Sequence, residues 1–148
     1  MKKVLLVAAL TVMFFVACEK ENETKISSNN SDESHNTGQN CMNCHVSSGS
    51  GEGWFIIAGS VYNNTKTQPY PNGKVKLTSE PNGAGALIKT IEIDSKGNFY
   101  TTENIDFGSG LYVSVFGTTD EQKFMNSKIT NGACNSCHGI TMDKVWIE

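Results

Sequence analysis

The sequence predicts a mainly β fold, a small antiparallel β-sandwich flanked by two short cysteine-bearing segments. Three observations carry that expectation. Residues 54–117 are rich in β-branched and aromatic side chains, turn-forming Asn, Gly and Pro recur between them at short spacing, and a Cys-x-x-Cys pair stands on either side. β-Branched and aromatic residues suit a pleated, half-buried surface, and short runs divided by turn signals mark an all-β domain.

Trp54-Phe55-Ile56-Ile57-Ala58-Gly59-Ser60-Val61-Tyr62 opens the series as a strongly apolar strand. Asn63-Asn64 and Pro69-Tyr70-Pro71-Asn72-Gly73 then supply turn chemistry. Lys74-Val75-Lys76-Leu77-Thr78 alternates polar with apolar, a strand with one wet face. After a turn at Pro81-Asn82-Gly83-Ala84-Gly85, residues 87–94 form a third strand, with Leu87 out of phase with the later alternation. Ser95-Lys96-Gly97-Asn98 is a tight turn into Phe99-Tyr100-Thr101-Thr102, and Gly108-Ser109-Gly110 precedes a fifth strand over 111–116. A weaker strand is expected near Ile105 and Phe107. Beyond Gly117, Thr118-Thr119-Asp120-Glu121 predicts a helix start, with two turns over 122–128 broken by Asn131-Gly132. The aromatics Trp54, Phe55, Tyr62, Phe99, Tyr100, Tyr112 and Phe116 are expected in the sandwich core.

The N-terminus reads as an export signal over 1–17. Met1-Lys2-Lys3 is basic, and residues 4–17 are apolar apart from Thr11. Those 14 residues fall short of the about 17–25 that span a bilayer, and their flanks are those of a signal-peptide core. Phe15-Val16-Ala17-Cys18 resembles the lipobox of bacterial lipoproteins, with Phe15 where that family prefers Leu. The resemblance implies lipidation of Cys18 as the first mature residue. It places the chain in the bacterial cell envelope, lipid-anchored, at the outer membrane on its periplasmic or outer surface. Glu19, Glu21 and Glu23 are either a solvated run or similar to the acidic export signal of surface lipoproteins of Bacteroidetes. Residues 18–40 are expected to be a flexible tether, because after Cys18 they hold a single large apolar residue, Ile26. As a coil, residues 19–40 would reach roughly 25 Å.

The chain has no arginine, and without Lys2 and Lys3 ten lysines face 15 acids. Such a chain lacks the electrostatic footprint for nucleic acid.

Setting Cys18 aside, the remaining cysteines form two pairs, Cys41/Cys44 and Cys134/Cys137. Each pair is followed at once by histidine, in Cys41-Met42-Asn43-Cys44-His45 and Cys134-Asn135-Ser136-Cys137-His138. This is the c-type haem attachment signature. Two thiols at that spacing each form a thioether with one vinyl group of a porphyrin, and the adjacent imidazole then meets the iron. Histidine fills 3 of 148 positions, so both pairs would be followed by His by accident roughly four times in ten thousand. A zinc ribbon or two redox-active disulfides remain as rivals. The first leaves both histidines and export unexplained, and the second lacks an alternating helix-and-strand frame. The expected cofactors are two covalently attached haem c groups. The domains then run 41–53, a first haem-binding segment, 54–117, the sandwich, and 118–148, a second haem-binding segment.

Gly59-Ser60-Val61-Tyr62, Asn72-Gly73-Lys74-Val75-Lys76-Leu77, Asp94-Ser95-Lys96-Gly97-Asn98-Phe99 and Gly110-Leu111-Tyr112-Val113 are together similar to the carboxypeptidase regulatory-like, transthyretin-type sandwich. That likeness implies a fold and no chemistry. The order of Cys41 to His45, Gly59 to Tyr62, Gly97 to Tyr100, Met125, and Gly132 to His138 resembles a family of small exported dihaem proteins, over roughly residues 41–139. In that family one C-x-x-C-H precedes such a sandwich and a second follows it. The resemblance implies a scaffold holding two haem-bearing arms.

His45 and His138 are the expected proximal iron ligands. His35, the one remaining histidine, is either a distal ligand of the first haem or a solvated side chain. Met125 has the slack to fold over the second haem, or packs beside Phe124 as an ordinary residue. Met42 lies inside its attachment loop. Met142, four residues after His138, would share the proximal side if that stretch were helical. The favoured function is electron transfer by a membrane-anchored dihaem cytochrome with redox proteins as partners. The alternatives are a haem enzyme or redox sensor with an open iron site, and a sandwich binding module with structural haem.

Replacing the expected lipidation site tests the anchor. Cys18→Ser should release the protein from membranes or leave an unprocessed precursor, since several acyl chains on one residue exceed what stable anchoring needs. Unchanged membrane fractionation and processing would remove the lipobox reading.

Overall fold

The computed structural model describes residues 22–119 and 121–148; the expected signal peptide over 1–17 and Cys18 lie outside them. The described chain forms β1 (Ile57–Tyr62), β2 (Lys74–Thr78), β3 (Leu87–Glu92), β4 (Asn98–Thr101), β5 (Tyr112–Phe116), β6 (Gln122–Phe124), β7 (Gly132–Ala133) and β8 (Val145–Trp146). They make two four-stranded sheets. One has the order β4-β1-β7, with β8 also paired to β1, and the other has the order β3-β2-β5-β6. The mainly β sandwich is thus the observed fold. Ile57, Val61 and Phe99 from the first sheet pack with Val75, Leu77, Ile91 and Val115 from the second, joined by Ile105, Leu111 and Ile147.

Most pairings are antiparallel, but β7 and β8 run parallel to β1. The two short strands share one edge of β1. β7 meets Ile57 and Ala58, β8 meets Val61 and Tyr62, and the second cysteine pair lies in the chain between them. All six residues of β1 are buried. Side chains alternate faces along a strand, so Ile57 and Val61 enter the core while Ala58, Ser60 and Tyr62 face away from it. Cover for that second face comes from the segment before β1, where the Gly38 amide donates to Ser60 Oγ at 2.8 Å.

That cover corrects the expected tether. Residues 22–40 lie along the first sheet rather than trailing from it. Ile26 bridges to Thr101, and the Ser27 amide donates to the Tyr100 carbonyl at 3.0 Å. Asn22 clasps the Trp54 backbone, accepting from its amide at 2.8 Å and donating to its carbonyl at 2.9 Å. The tether expectation weighed only apolar burial. Here polar side chains and backbone satisfy the outer edge of β4, whose groups would otherwise lack partners.

Three further expectations change. The helix over 122–128 is absent, and residues 122–124 form β6 against β5, with the Met125 amide continuing onto the Val113 carbonyl at 2.9 Å. The open edge of β5 outweighs the local helix-start signal. The sandwich therefore extends past residue 117 and takes β6, β7 and β8 from the C-terminal segment. Ile105 and Phe107 form no strand, though Ile105 is buried in the core and Phe107 packs on it. Leu87 is out of phase because Thr78 pairs with Leu87 while Leu77 pairs with Lys89, leaving Ile88 as the extra residue of a β-bulge. Of the expected core aromatics, Phe99 holds its place. Tyr62 and Tyr100 are buried too, but from the opposite face of their strands, and Phe55 stacks on Tyr100 with ring centroids 4.7 Å apart.

Candidate functional site

Both cysteine pairs fold into the same local structure. Cys41–Asn43 and Cys134–Ser136 are each one turn of 3-10 helix. In the first, the Cys41 carbonyl accepts from the Cys44 amide at 3.2 Å and the His45 amide at 3.0 Å. In the second, the Cys134 carbonyl accepts from Cys137 at 3.2 Å and His138 at 3.0 Å. Different contacts enforce the common shape. Asn40 caps the first turn by accepting from the Met42 amide at 3.2 Å, and in the second Ser136 Oγ donates to the Ala133 carbonyl at 2.6 Å. All four thiols are free.

The two histidines are held alike. His45 Nδ1 lies 3.0 Å from the Glu52 carbonyl and 3.3 Å from that of Gly53, and His138 Nδ1 lies 2.7 Å from the Asp143 carbonyl. A carbonyl oxygen only accepts, so Nδ1 carries the proton on each neutral ring and Nε2 presents its lone pair. Metal-binding histidines are commonly oriented by such a backbone carbonyl. Gly51 makes room for this arrangement: a Cβ there would lie 2.7 Å from His45 Nδ1. The His45 ring also stacks on Phe55 at 4.2 Å. Neither the Gly-Glu-Gly run at 51–53 nor Asp143 stands out in the sequence, because each acts through its backbone.

Each turn borders a cavity. Cys41, Cys44, His45 and His35 line one of about 600 Å³, beside Phe55 and Tyr100. Cys134, Cys137, His138 and Met125 line another of about 480 Å³, walled by Phe99, Val113, Phe124 and Trp146. Both volumes fall in the range of cofactor sites. The structure therefore brings the expected residues together in two separate groups. His35 stands near His45 with ring centroids 5.7 Å apart. Met142 lies at the second cavity as well, 51% exposed. The helical premise that set it aside does not hold, since the His138 stretch folds back in a bridge to Met142 and the Gly139 amide donates to its carbonyl at 2.8 Å.

The cavities differ in character. Lys25, Glu33 and Glu52 border the first, while Lys123, Lys128 and Lys144 border the largely apolar second. Burial pushes the Cys134 thiol up to about 12, with Cys41 and Cys137 adding to the shift. Burial also raises Cys41, helped by the Asp94 carboxylate. Thiols held in the protonated form are poor nucleophiles, so Cys134 and Cys41 are weak starting points for disulfide exchange. Among the described residues, no three or more His, Cys, Asp or Glu side chains gather into a metal-holding group.

Compared with known proteins, the chain matches no family model, no curated protein and no solved structure.

The raised Cys134 thiol has a consequence for the haem-free chain. Its stabilising effect is full below the unfolded thiol value near 9 and is lost as pH rises toward 12. The haem-free fold should therefore weaken across that window, and Cys134→Ser should flatten the decline. Thiolate absorbance followed with pH, by difference against Cys134→Ser, checks it. Ionisation of Cys134 near 9 would show that its surroundings do not hold the thiol protonated.

Proposed function

We propose that the protein is an exported, lipid-anchored cytochrome that carries two covalently attached haem c groups and transfers electrons between redox proteins. The observation that carries this reading is the duplicated C-x-x-C-H geometry. Two distant segments adopt one backbone turn, protonate Nδ1 of the following histidine against a carbonyl, and open onto a cavity. The residues fit the group. Each thiol adds across one vinyl group, sulfur to one carbon and hydrogen to the other, so attachment leaves the electron count unchanged. Cys41 and Cys44 would hold the first haem with His45 on its iron, and Cys134 and Cys137 the second with His138.

When bound, haem iron supplies a one-electron couple, tuned by its axial ligands and its surroundings. The chain's own residues orient the two imidazoles and set the two environments. Phe99, Val113 and Phe124 give the second cavity an apolar wall, whereas Glu33 and Glu52 bring carboxylates to the first. His35 is the proposed distal ligand of the first haem, supported by its place beside His45. Met125 is proposed for the second, supported by its place in the cavity shared with His138. Partners are redox proteins and, through Cys18, the membrane.

Protein made in a host with haem-attachment machinery should gain two haem masses that survive denaturation and acid solvent. A mass with intact thiols or bound zinc would overturn the reading. Met125→Ala should abolish a methionine-type near-infrared band from one haem, with that haem turning high-spin or dropping in potential. An unchanged spectrum would return Met125 to packing.

A further inference from the structure

We infer that Asn135 locks the two attachment turns to one another, so that the haems they carry form an interacting pair rather than two independent carriers. The inference rests on the dihaem reading above.

Asn135 is the first residue between Cys134 and Cys137. Its neighbours Ser136 and Cys137 are exposed, yet Asn135 is only 3% exposed. The side chain turns inward onto β1. Oδ1 accepts from the Ser60 amide at 3.1 Å, while Nδ2 donates to Ser60 Oγ at 3.1 Å and to the Gln39 carbonyl at 3.0 Å. The first of these bonds occupies the edge of β1 between its pairings with β7 and β8. The last crosses from the second cysteine turn to the backbone two residues before Cys41.

Every side-chain donor of the joint is used. Ser60 Oγ donates to Asn98 Oδ1 at 2.7 Å and accepts from both the Gly38 amide and Asn135. Asn98 Nδ2 in turn donates to Ser34 Oγ at 2.8 Å and Thr37 Oγ1 at 2.9 Å, fastening the approach to the first turn. A hydroxyl offers one donor and two acceptor sites, and a primary amide nitrogen two donors. Ser60 Oγ and both amide nitrogens use all of these. Such a saturated, buried network has one arrangement and resists sliding. Stabilising the second turn alone would need only the bonds to Ser60. Two links set the turns relative to each other: the direct bond to Gln39, and Ser60 Oγ, which takes the Gly38 amide and Asn135 Nδ2 together. Met42, the matching residue of the first turn, reaches no such partner with its side chain, so the lock is one-sided and rests on Asn135.

The reporter is the two-signed circular-dichroism signal in the Soret region that close haems generate through exciton coupling. It is read together with the separation of the two reduction steps. The parent dihaem protein should show the couplet. Asn135→Asp keeps an acceptor for the Ser60 amide but cannot donate to Gln39, and Asn135→Ala removes all three bonds. Both should retain two haems, lose couplet amplitude and change the separation of the steps. Ile91→Val, in the second sheet, destabilises the core without touching the joint and should leave both signals intact. Should neither Asn135 variant mature, Ser60→Ala removes the hydroxyl shared by Gly38 and Asn135, keeps the bond to Gln39, and should reduce the couplet in part. A parent carrying two haems without a couplet overturns the inference, as does a couplet unchanged in the variants that mature or one equally reduced by Ile91→Val. A parent carrying no haem fails the dihaem reading itself and is told apart by its mass.

Discussion

All six residues of β1 are buried, so both edges and both faces of that strand must find cover within the chain. Its core face meets the second sheet. Its outer face needs residues 22–56, one edge takes β4, and the other is shared by β7, the Asn135 side chain and β8. Both cysteine turns are by-products of that cover. One belongs to the segment laid over the strand, and the other is the loop between two short strands that complete its edge. The strand thus acts as the common reference for two sites far apart in sequence.

The same turn is placed in two different surroundings. The first cavity opens beneath a polar segment, with an aromatic stack of His45, Phe55 and Tyr100 along its wall. The second enters the sandwich from its edge, against side chains of the core. A low-dielectric wall disfavours the more highly charged member of a redox couple. On the proposed reading, the fold therefore differentiates two chemically identical attachments without altering their ligating motif.

The strand β2 and the turn into β4 were legible in the sequence. Lys74 to Thr78 and Ser95 to Asn98 show their alternation and turn chemistry directly, and the misfit of Leu87 was a true signal, of a bulge at Ile88. The repeated C-x-x-C-H stands in the sequence as two local runs, and both fold into the same turn. The helix expected over 122–128 was misread because the hydroxyls and acids before it suit a helix start, whereas the unpaired edge of β5 draws residues 122–124 into a strand. Residues 22–40 were misread because counting apolar residues misses docking through Asn22, Ser27 and Thr37. The carbonyls of Glu52 and Asp143 were beyond reach, since any residue supplies a carbonyl and only the fold places it. Asn135 was likewise hidden, standing at a position the motif leaves open.

The parallel pairing of β7 and β8 with β1 bears on the order in which the chain assembles. Ile57 must wait for Gly132, and Val61 for Val145, before that edge closes. Contacts of such long sequence separation form late, because the loop they close is long. An emerging chain can zip the hairpin of β2 and β3 while its last residues are still unattached. Until they arrive, that edge of β1 is open, Cys134 and Cys137 are undocked, and the wall of the second cavity is unfinished. The architecture therefore leaves a time window in which a bulky group can be fitted to those cysteines before the fold shuts around it.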